Sequence, residues 1–335
     1  MPFLNTDIPE LTGFDTGLCL SNLEVLGARQ DRVSESMLAI LSELADAIIR
    51  DAGGDPDTVD SILLSLQSIP DGEGEDDKVP HLMLENIAPV NREAIARITA
   101  RSGLYARLLL YAMIEERMPT EASPKPMPSP LPATVRGRIA YMPAAFADKA
   151  YLRLAEGVKD PRAASTASFV DACEEVRSGL CEFCILPLEN THSGKLTAFT
   201  RLILRYNLRV KAVCDLENGT AEGQITRFAL LSGASEGSFP APLTPPSAEE
   251  PLYLELIHMG ESPSLTDLLS AAEFCRVTVC RLDTLPRFDE LDTDSDEPAP
   301  VSCVFDVAGS DLAVFRRFLA LEASDDLLIG LYNTI

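Results

Sequence analysis

Residues 183–206, FCILPLENTHSGKLTAFTRLILRY, join an apolar run, a cluster of polar side chains and a helical pattern without a break. The run 183–188 is typical of a buried strand. Five polar residues, Glu189 to Ser193, follow and are closed by Gly194, and the next residues predict a helix over 195–206. The polar cluster is therefore either a ligand site at the end of a strand or the cap of that helix.

Strand and helix patterns alternate on both sides of this stretch. Helices are predicted over 146–155 and 168–177, and four stretches read as strands: RIAYM (138–142), FCILPL (183–188), LRVKAVCDL (208–216) and ITRFALLS (225–232). Strands that alternate with helices of this length predict a mainly parallel sheet covered on both faces.

The N-terminal residues 1–118 predict a helical domain. Met37, Leu41, Leu44 and Ile48 recur at three- and four-residue intervals, and LYARLLLYAMIEER (104–117) is apolar enough to lie at the centre of a bundle. The proline-rich residues 119–135 cannot continue a helix and predict a linker.

After a second predicted linker, 234–250, the order of patterns over 251–335 is strand, helix, strand, strand, helix, strand. This βαββαβ order is that of the ferredoxin-like fold, which has four antiparallel strands with two helices on one face. The fold class predicted for the chain is multidomain, α + α/β, with a helical bundle, an α/β lobe over 136–233 and a ferredoxin-like domain.

Composition excludes several classes of protein. A formal charge of −24 over 335 residues disfavours binding to nucleic acid, which calls for a basic face. No stretch approaches the roughly 18 apolar residues of a membrane span, and the N-terminus lacks the pattern of a signal peptide. The eight cysteines lie mostly in apolar runs, and the pair Cys181 and Cys184 lacks a second pair at zinc-ligand spacing. We expect a cytoplasmic protein without a metal.

Three motifs, taken in their order along the chain, resemble the prephenate dehydratase family, particularly its bifunctional chorismate mutase–prephenate dehydratases. The motifs are CEFCILPLENTHSG (181–194), ITRFALLS (225–232) and the C-terminal pattern that ends in IGLY (329–332). The resemblance covers roughly residues 136–335. It implies a periplasmic-binding-protein-like α/β lobe followed by an ACT domain, which is the phenylalanine-sensing module of the family. Residues 1–118 take the place of the chorismate mutase domain.

The family converts prephenate to phenylpyruvate by a decarboxylation coupled to loss of the ring hydroxyl, without metal or organic cofactor. The resemblance implies that Thr226 lies beside the departing hydroxyl and that Arg227 pairs with a substrate carboxylate. The other residues implied for this cleft are Glu189 and Asn190 as catalytic groups, and Thr191 and Ser193 as substrate-binding groups.

The chain departs from the family between Leu216 and Ile225, where the family carries a second α/β lobe. Only ENGTAEGQ (217–224) lies here, whereas a lobe needs on the order of a hundred residues. A cleft with one wall neither excludes water nor holds both substrate carboxylates. We therefore expect a prephenate-dehydratase-like lyase of phenylalanine biosynthesis whose truncated lobe leaves the active site incomplete. The alternative is a catalytically inactive regulatory or binding subunit.

The amino-acid site of the ACT-like domain is implied at Ser264, Leu265 and Asp283. Pro263 stands where the family has a glycine, and Leu285 stands where it has an arginine. Amino-acid sensing and simple assembly therefore remain alternatives for this domain. The partners expected are a small molecule, either prephenate or an aromatic amino acid, and further copies of the chain in a homodimer or higher oligomer.

For the helical domain, NREAIARI (91–98) places Arg92 and Glu93 as in the second helix of a chorismate mutase. A mutase site needs several cations around a dicarboxylate, but the first helix offers only Arg32 and Arg50 near its ends. A vestigial mutase and a helical bundle with solvated charges are the two interpretations.

Overall fold

The computed structural model describes residues 35, 37–67, 103–118, 132, 134–217, 223–234, 239–244, 250–260, 263–286 and 299–335. The helices in these ranges are α1 (37–51), α2 (Pro56–Gln67), α3 (Leu104–Arg117), α4 (Ala145–Ala155), α5 (Phe169–Arg177), α6 (Thr197–Arg205), α7 (Leu265–Phe274) and α8 (Leu312–Glu322). The strands are β1 (Arg138–Tyr141), β2 (Arg162–Ser165), β3 (Phe183–Asn190), β4 (Gly194–Lys195), β5 (Leu208–Glu217), β6 (Ile225–Gly233), β7 (Tyr253–His258), β8 (Thr278–Thr284), β9 (Val301–Asp306) and β10 (Leu327–Thr334). Within the described ranges, every helix is too short or too polar to cross a membrane.

All ten strands belong to one sheet, in the order β2-β1-β3-β6-β5-β10-β7-β9-β8, with β4 paired to β3. Strand β1 is parallel to β2 and β3, but β6 is antiparallel to both β3 and β5. The sheet is thus mixed: β1, β2, β3 and β5 run in one direction, as the prediction of a mainly parallel sheet over 136–233 requires, and β6 runs against them. The reason lies in the connection between β5 and β6, because residues 218–224 are too few for the crossover that parallel neighbours require.

The elements over 251–335 occur in the predicted order. The strands run β10-β7-β9-β8 with antiparallel pairing throughout, and α7 and α8 pack on one face. We call residues 251–335 the C-terminal unit. Strand β10 also pairs in parallel with β5, so the sheet continues from the α/β part into this unit.

Gly330 makes this continuity possible. It lies opposite Val210 of β5, and a Cβ at position 330 would collide with the Val210 backbone oxygen. Only glycine allows the two strands to approach this closely.

The N-terminal helices share a core with the C-terminal unit. Buried side chains of α1 and α3, such as Leu41 and Tyr111, belong to the same apolar cluster as Phe305 of β9 and Phe315 of α8. An ion pair reinforces the contact, since Arg107 donates to both carboxylate oxygens of Glu322 at 2.9 and 2.8 Å.

A second ion-paired group also joins the helices. Arg317 of α8 is buried and contacts Asp60 of α2 and Glu115 of α3. The helices α1–α3 therefore cover α7 and α8 as a further layer. The helix predicted around Arg92 and Glu93, together with Arg32, lies outside the described residues.

Two more apolar clusters cover the α/β part of the sheet, one under α5 and α6 and the other under α4. The first extends beneath the C-terminal unit through Ile257, Ile329 and Tyr332. Strands β7 and β10 are thus covered on both faces, by α7 and α8 on one and by the α/β part on the other, whereas β8 is largely exposed.

Candidate functional site

The polar cluster 189–193 folds as a hairpin. Glu189 and Asn190 end β3, Gly194 and Lys195 form β4, and the two strands pair in register. The Asn190 side-chain oxygen accepts hydrogen bonds from the backbone N–H groups of His192 and Ser193, at 3.1 and 2.6 Å. The cluster therefore shapes a turn.

The interpretation of this cluster as a helix cap is wrong. Helix α6 begins at Thr197, its N-cap residue is Leu196, and no side chain caps it. The reason is that the polar side chains are already used in the turn two residues earlier, and Leu196 is bound to β3 through the Leu188 carbonyl at 2.8 Å.

The residues implied for the substrate cleft lie together. In the ladder between β3 and β6, Glu189 is opposite Arg227 and Asn190 is opposite Thr226. Thr191 extends the pairing, since its N–H donates to the Ile225 carbonyl at 3.0 Å and its hydroxyl accepts from the Ile225 N–H at 3.1 Å. These residues lie in a single cluster at one end of two strands, and Ser193 lies in the adjoining turn. The roles of these residues remain predictions.

An unbroken chain of ion pairs crosses this edge. The Arg227 guanidinium donates to both oxygens of Asp215, at 2.7 and 2.8 Å, and its Nη1 lies 2.9 Å from Glu189 Oε1. The other oxygen of Glu189 lies 2.6 Å from Arg281 Nη2, and Arg281 Nε lies 2.7 Å from Asp283. We call these five residues the ion chain. Its members come from β5, β6, β3 and β8, so it joins the α/β part to the C-terminal unit.

The ion chain stabilises the charged form of both arginines. The hydrogen bonds to Asp215 raise the pKa of Arg227 despite partial burial. Burial acts to lower the pKa of Arg281, but the hydrogen bond and charge of Glu189 outweigh it and raise that pKa. Both guanidinium groups are therefore fixed cations.

A buried cluster of polar side chains lies behind the ion chain. Lys195 Nζ contacts the Glu255 carboxylate of β7 and the Ser302 hydroxyl of β9, and the Tyr332 hydroxyl donates to Glu255 at 2.8 Å. The Lys195 and Glu255 side chains are only 8% and 4% exposed. Burial acts to raise the pKa of Glu255, but Lys195 and Tyr332 outweigh it, so the pKa is lowered. The same burial and the Glu255 charge raise the pKa of Tyr332 well above its usual value.

The C-terminal unit thus forms a wall against the predicted cleft edge, which sequence reasoning missed. One signal was available for Glu255, which is the single charged residue between apolar neighbours in the strand YLELIH. Another was the alternation of Arg281 and Asp283, which places both side chains on one face of β8. Neither signal identifies Glu189 or Lys195 as the partner.

The residues implied for amino-acid binding divide into two places. Ser264 caps α7, because its hydroxyl accepts from the Asp267 N–H at 3.2 Å and its own N–H donates to the Asp267 carboxylate at 3.1 Å. Leu265 packs against the apolar core. Asp283 lies on β8 beside Arg281, within the ion chain.

Two of the three histidines lie within the described residues. His192 lies in the exposed hairpin turn. His258 of β7 is buried, and its Nδ1 lies 2.9 Å from Asp326 Oδ1. The two residues are 68 positions apart in the sequence, so no local pattern predicts this pair. Among the described residues, no group of histidine, cysteine and acidic side chains is arranged to hold a metal ion.

Comparison with known proteins gives matches among solved structures. A scan of protein-family models and a search of curated proteins find no match. A prephenate dehydratase from Streptococcus mutans is 15% identical, with a TM-score of 0.44 and coverage of 59% of this chain and 98% of that chain. A prephenate dehydratase from Arthrobacter aurescens in complex with L-Phe is 13% identical, with a TM-score of 0.40 and coverage of 58% and 90%. A protein described as a novel type of quorum quenching acylase is 16% identical, with a TM-score of 0.43 and coverage of 58% and 94%.

Proposed function

We propose that this chain is a cytoplasmic, prephenate-dehydratase-like protein of aromatic amino-acid biosynthesis whose dehydratase site is incomplete, and that it acts as a regulatory or binding subunit. The observation that carries the proposal is the ion chain. Both arginines at the predicted cleft edge are already neutralised by carboxylates of the same chain.

The charges at this edge are unsuited to a substrate with two carboxylates. The ion chain and the buried group behind it contain three cations, Arg227, Arg281 and Lys195, whereas their carboxylates number four: Glu189, Asp215, Asp283 and Glu255. A site that stabilises a dianion needs cations or hydrogen-bond donors left uncompensated. A substrate with two carboxylates would instead meet a net negative charge at this edge.

The connectivity also supports an incomplete site. Glu217 and Ile225 are direct partners in the ladder between β5 and β6, so residues 218–224 bridge adjacent strand ends. The family inserts its second lobe at this place. In this chain, the C-terminal unit lies against the same edge and fills it with its own side chains.

The alternative is a dehydratase that retains some activity. The observation in its favour is the ladder position of Thr226 directly opposite Asn190, next to Glu189. The implied catalytic groups are therefore adjacent, although the charge around them is unfavourable.

A turnover assay separates the two functions. The full chain is incubated with prephenate, and the formation of phenylpyruvate is followed by its absorbance, with Thr226→Ala and the exposed Thr278→Ala as matched variants. We expect no rate above the spontaneous reaction for any of the three. A rate that Thr226→Ala lowers and Thr278→Ala leaves unchanged would establish the enzyme instead.

For the binding function, the ligand class is an aromatic amino acid or prephenate, and the assembly is a homodimer or higher oligomer through the C-terminal unit. Strand β8 supports this, because it ends the sheet and its Val279 and Leu282 side chains are exposed. Calorimetry with phenylalanine, tyrosine, tryptophan and prephenate tests the ligand. Sedimentation of the wild type and of Val279→Lys/Leu282→Lys tests the assembly, and an unchanged oligomer in that variant contradicts the use of β8.

The proposal gives no catalytic role to the N-terminal helices. Two of their arginines are ion-paired, Arg107 with Glu322 and Arg117 with Asp46. Paired cations of this kind favour a covering layer over a vestigial mutase.

A further inference from the structure

We infer that Arg227 and Arg281 form a carboxylate-binding clasp between the α/β part and the C-terminal unit, and that Glu189 occupies it as a tethered ligand. The external ligands that fit this clasp are small monocarboxylates. The inference goes beyond the proposed function, because it concerns which groups the two arginines bind and not whether prephenate is converted.

The geometry of Glu189 is that of a bound carboxylate. Each of its oxygens faces a different guanidinium group, with Oε1 at 2.9 Å from Arg227 Nη1 and Oε2 at 2.6 Å from Arg281 Nη2. Charge-assisted hydrogen bonds of this length are the strong ones that arginines use to recognise ligand carboxylates. The carboxylate is thus shared between arginines of two strands, β6 and β8, that belong to different parts of the chain.

Arg227 is held by hydrogen bonds that do not involve Glu189, and Arg281 has an ion pair of its own. Asp215 binds Arg227 through Nε and Nη2, which leaves Nη1 directed at Glu189. Asp283 Oδ2 lies 2.7 Å from Arg281 Nε as an ion pair without hydrogen-bond geometry, and Arg281 Nη2 is directed at the Glu189 carboxylate. Removal of the Glu189 carboxylate therefore leaves two oriented donors around one vacated position.

Solvent reaches the clasp from the side of the arginines. Their side chains are 32% and 38% exposed, whereas Glu189 is 15% exposed. A small anion can thus enter past the guanidinium groups. Behind the clasp, the contact between Lys195 and Glu255 holds β4 against β7. Strand β4 is joined through β3 to β6, which carries Arg227, and β7 is joined through β9 to β8, which carries Arg281. We therefore expect the two arginines to stay close when Glu189 is shortened.

The test is chemical rescue of the full chain carrying Glu189→Ala. Its thermal midpoint is measured in sodium acetate and in sodium chloride at equal ionic strength. A ligand that binds only the folded state raises its stability, so we expect acetate at about 0.1 M to raise the midpoint of the variant by about 3 °C over chloride. The wild type, whose clasp is filled, gains no such difference. If the variant is unfolded in chloride and has no midpoint there, we expect acetate to restore a cooperative unfolding transition.

Two control variants locate the effect. Glu217→Ala removes an exposed carboxylate at the end of β5 and should respond to acetate as the wild type does. The double variant Glu189→Ala/Arg281→Gln retains the vacancy but loses one donor, so the acetate effect should disappear. The inference is overturned if Glu189→Ala responds like the wild type, if it stays unfolded in both salts, or if the acetate effect survives the loss of Arg281.

Discussion

The two faces of the C-terminal strands differ in chemistry. One face is apolar, and Leu254, Phe305 and Leu331 pack there with α7 and α8 and, through them, with the N-terminal helices. The opposite face also contributes Ile257 and Ile329 to an apolar cluster, but it places Glu255 and Ser302 against Lys195 of the hairpin, next to the ion chain.

The two faces therefore have different effects: one stabilises the packing of the layers, and the other determines how the layers are aligned. Burial of apolar surface stabilises any close packing of the two layers, because the hydrophobic effect has no direction. A buried ion pair adds little net stability, since the desolvation of both charges offsets their attraction. However, any other alignment would leave one of these charges buried without its partner. We therefore conclude that the apolar face supplies stability and that the polar face fixes how the cleft edge meets the C-terminal unit.

The largest effect is expected on the apolar face. Phe315→Ala removes a fully buried ring that stacks with Phe318 and contacts Phe305 edge to face. We expect a loss of about 4 kcal/mol in the free energy of unfolding, the usual cost of such a cavity. Urea unfolding measures it, with the exposed Leu152→Ala as the control, which should change stability by less than about 0.5 kcal/mol. Similar losses for the two variants would show that this cluster is not a shared core.

The next effect is expected on the polar face. Lys195→Met leaves Glu255 buried without its cation, and we expect a loss of about 3 kcal/mol in the free energy of unfolding. Lys195→Met/Glu255→Gln removes the stranded charge while it keeps an amide for the Tyr332 hydroxyl, so most of the stability should return. A double variant no more stable than Lys195→Met would mean that Lys195 acts through packing.

The same pair predicts a dependence on pH. The pKa of Glu255 is lowered from its usual value of 4.5, so its charged form is favoured in the folded state. Its contribution to stability is therefore complete above about pH 4.5 and is lost as the pH falls through the lower, folded-state pKa. The stability difference between wild type and Glu255→Gln should shrink below about pH 4.5 in urea unfolding series. A difference that is constant between about pH 7 and pH 3 would contradict the lowered pKa.

The parts of the fold that depend on local pattern could be predicted. The strand 183–188 and the βαββαβ order follow from periodicity, because neighbours in sequence determine them, whereas the nearness of Glu189 and Arg227 is implied by the family resemblance alone. The continuation of the sheet from β5 to β10, and the packing of α1–α3 on α7 and α8, depend on contacts between distant segments. No local pattern specifies such partners.

The candidate site divides in the same way. The motifs of the sequence point to the site residues on β3 and β6. They do not indicate which residues of the C-terminal unit lie against them. The structure shows that these are Arg281 and Glu255, which are far from the hairpin in sequence. The sequence shows that both residues are charged, but it does not show which residue each one pairs with. The register that brings them to the hairpin is set by the whole packed structure.

The smallest effect distinguishes a helix cap from a ligand contact at Ser264. In the structure, Ser264 and Asp267 form a reciprocal capping box at the start of α7. Ser264→Ala should therefore lower the free energy of unfolding by about 1 kcal/mol, the usual cost of a lost cap. It should leave the affinity for any aromatic amino acid unchanged, while Ser264→Asp, which is also a good N-cap residue, should restore stability. Calorimetry together with urea unfolding distinguishes the cap from the ligand contact. Lost binding with unchanged stability would mean that Ser264 contacts the ligand, and it would place an amino-acid site on the apolar side of the unit, away from the ion chain.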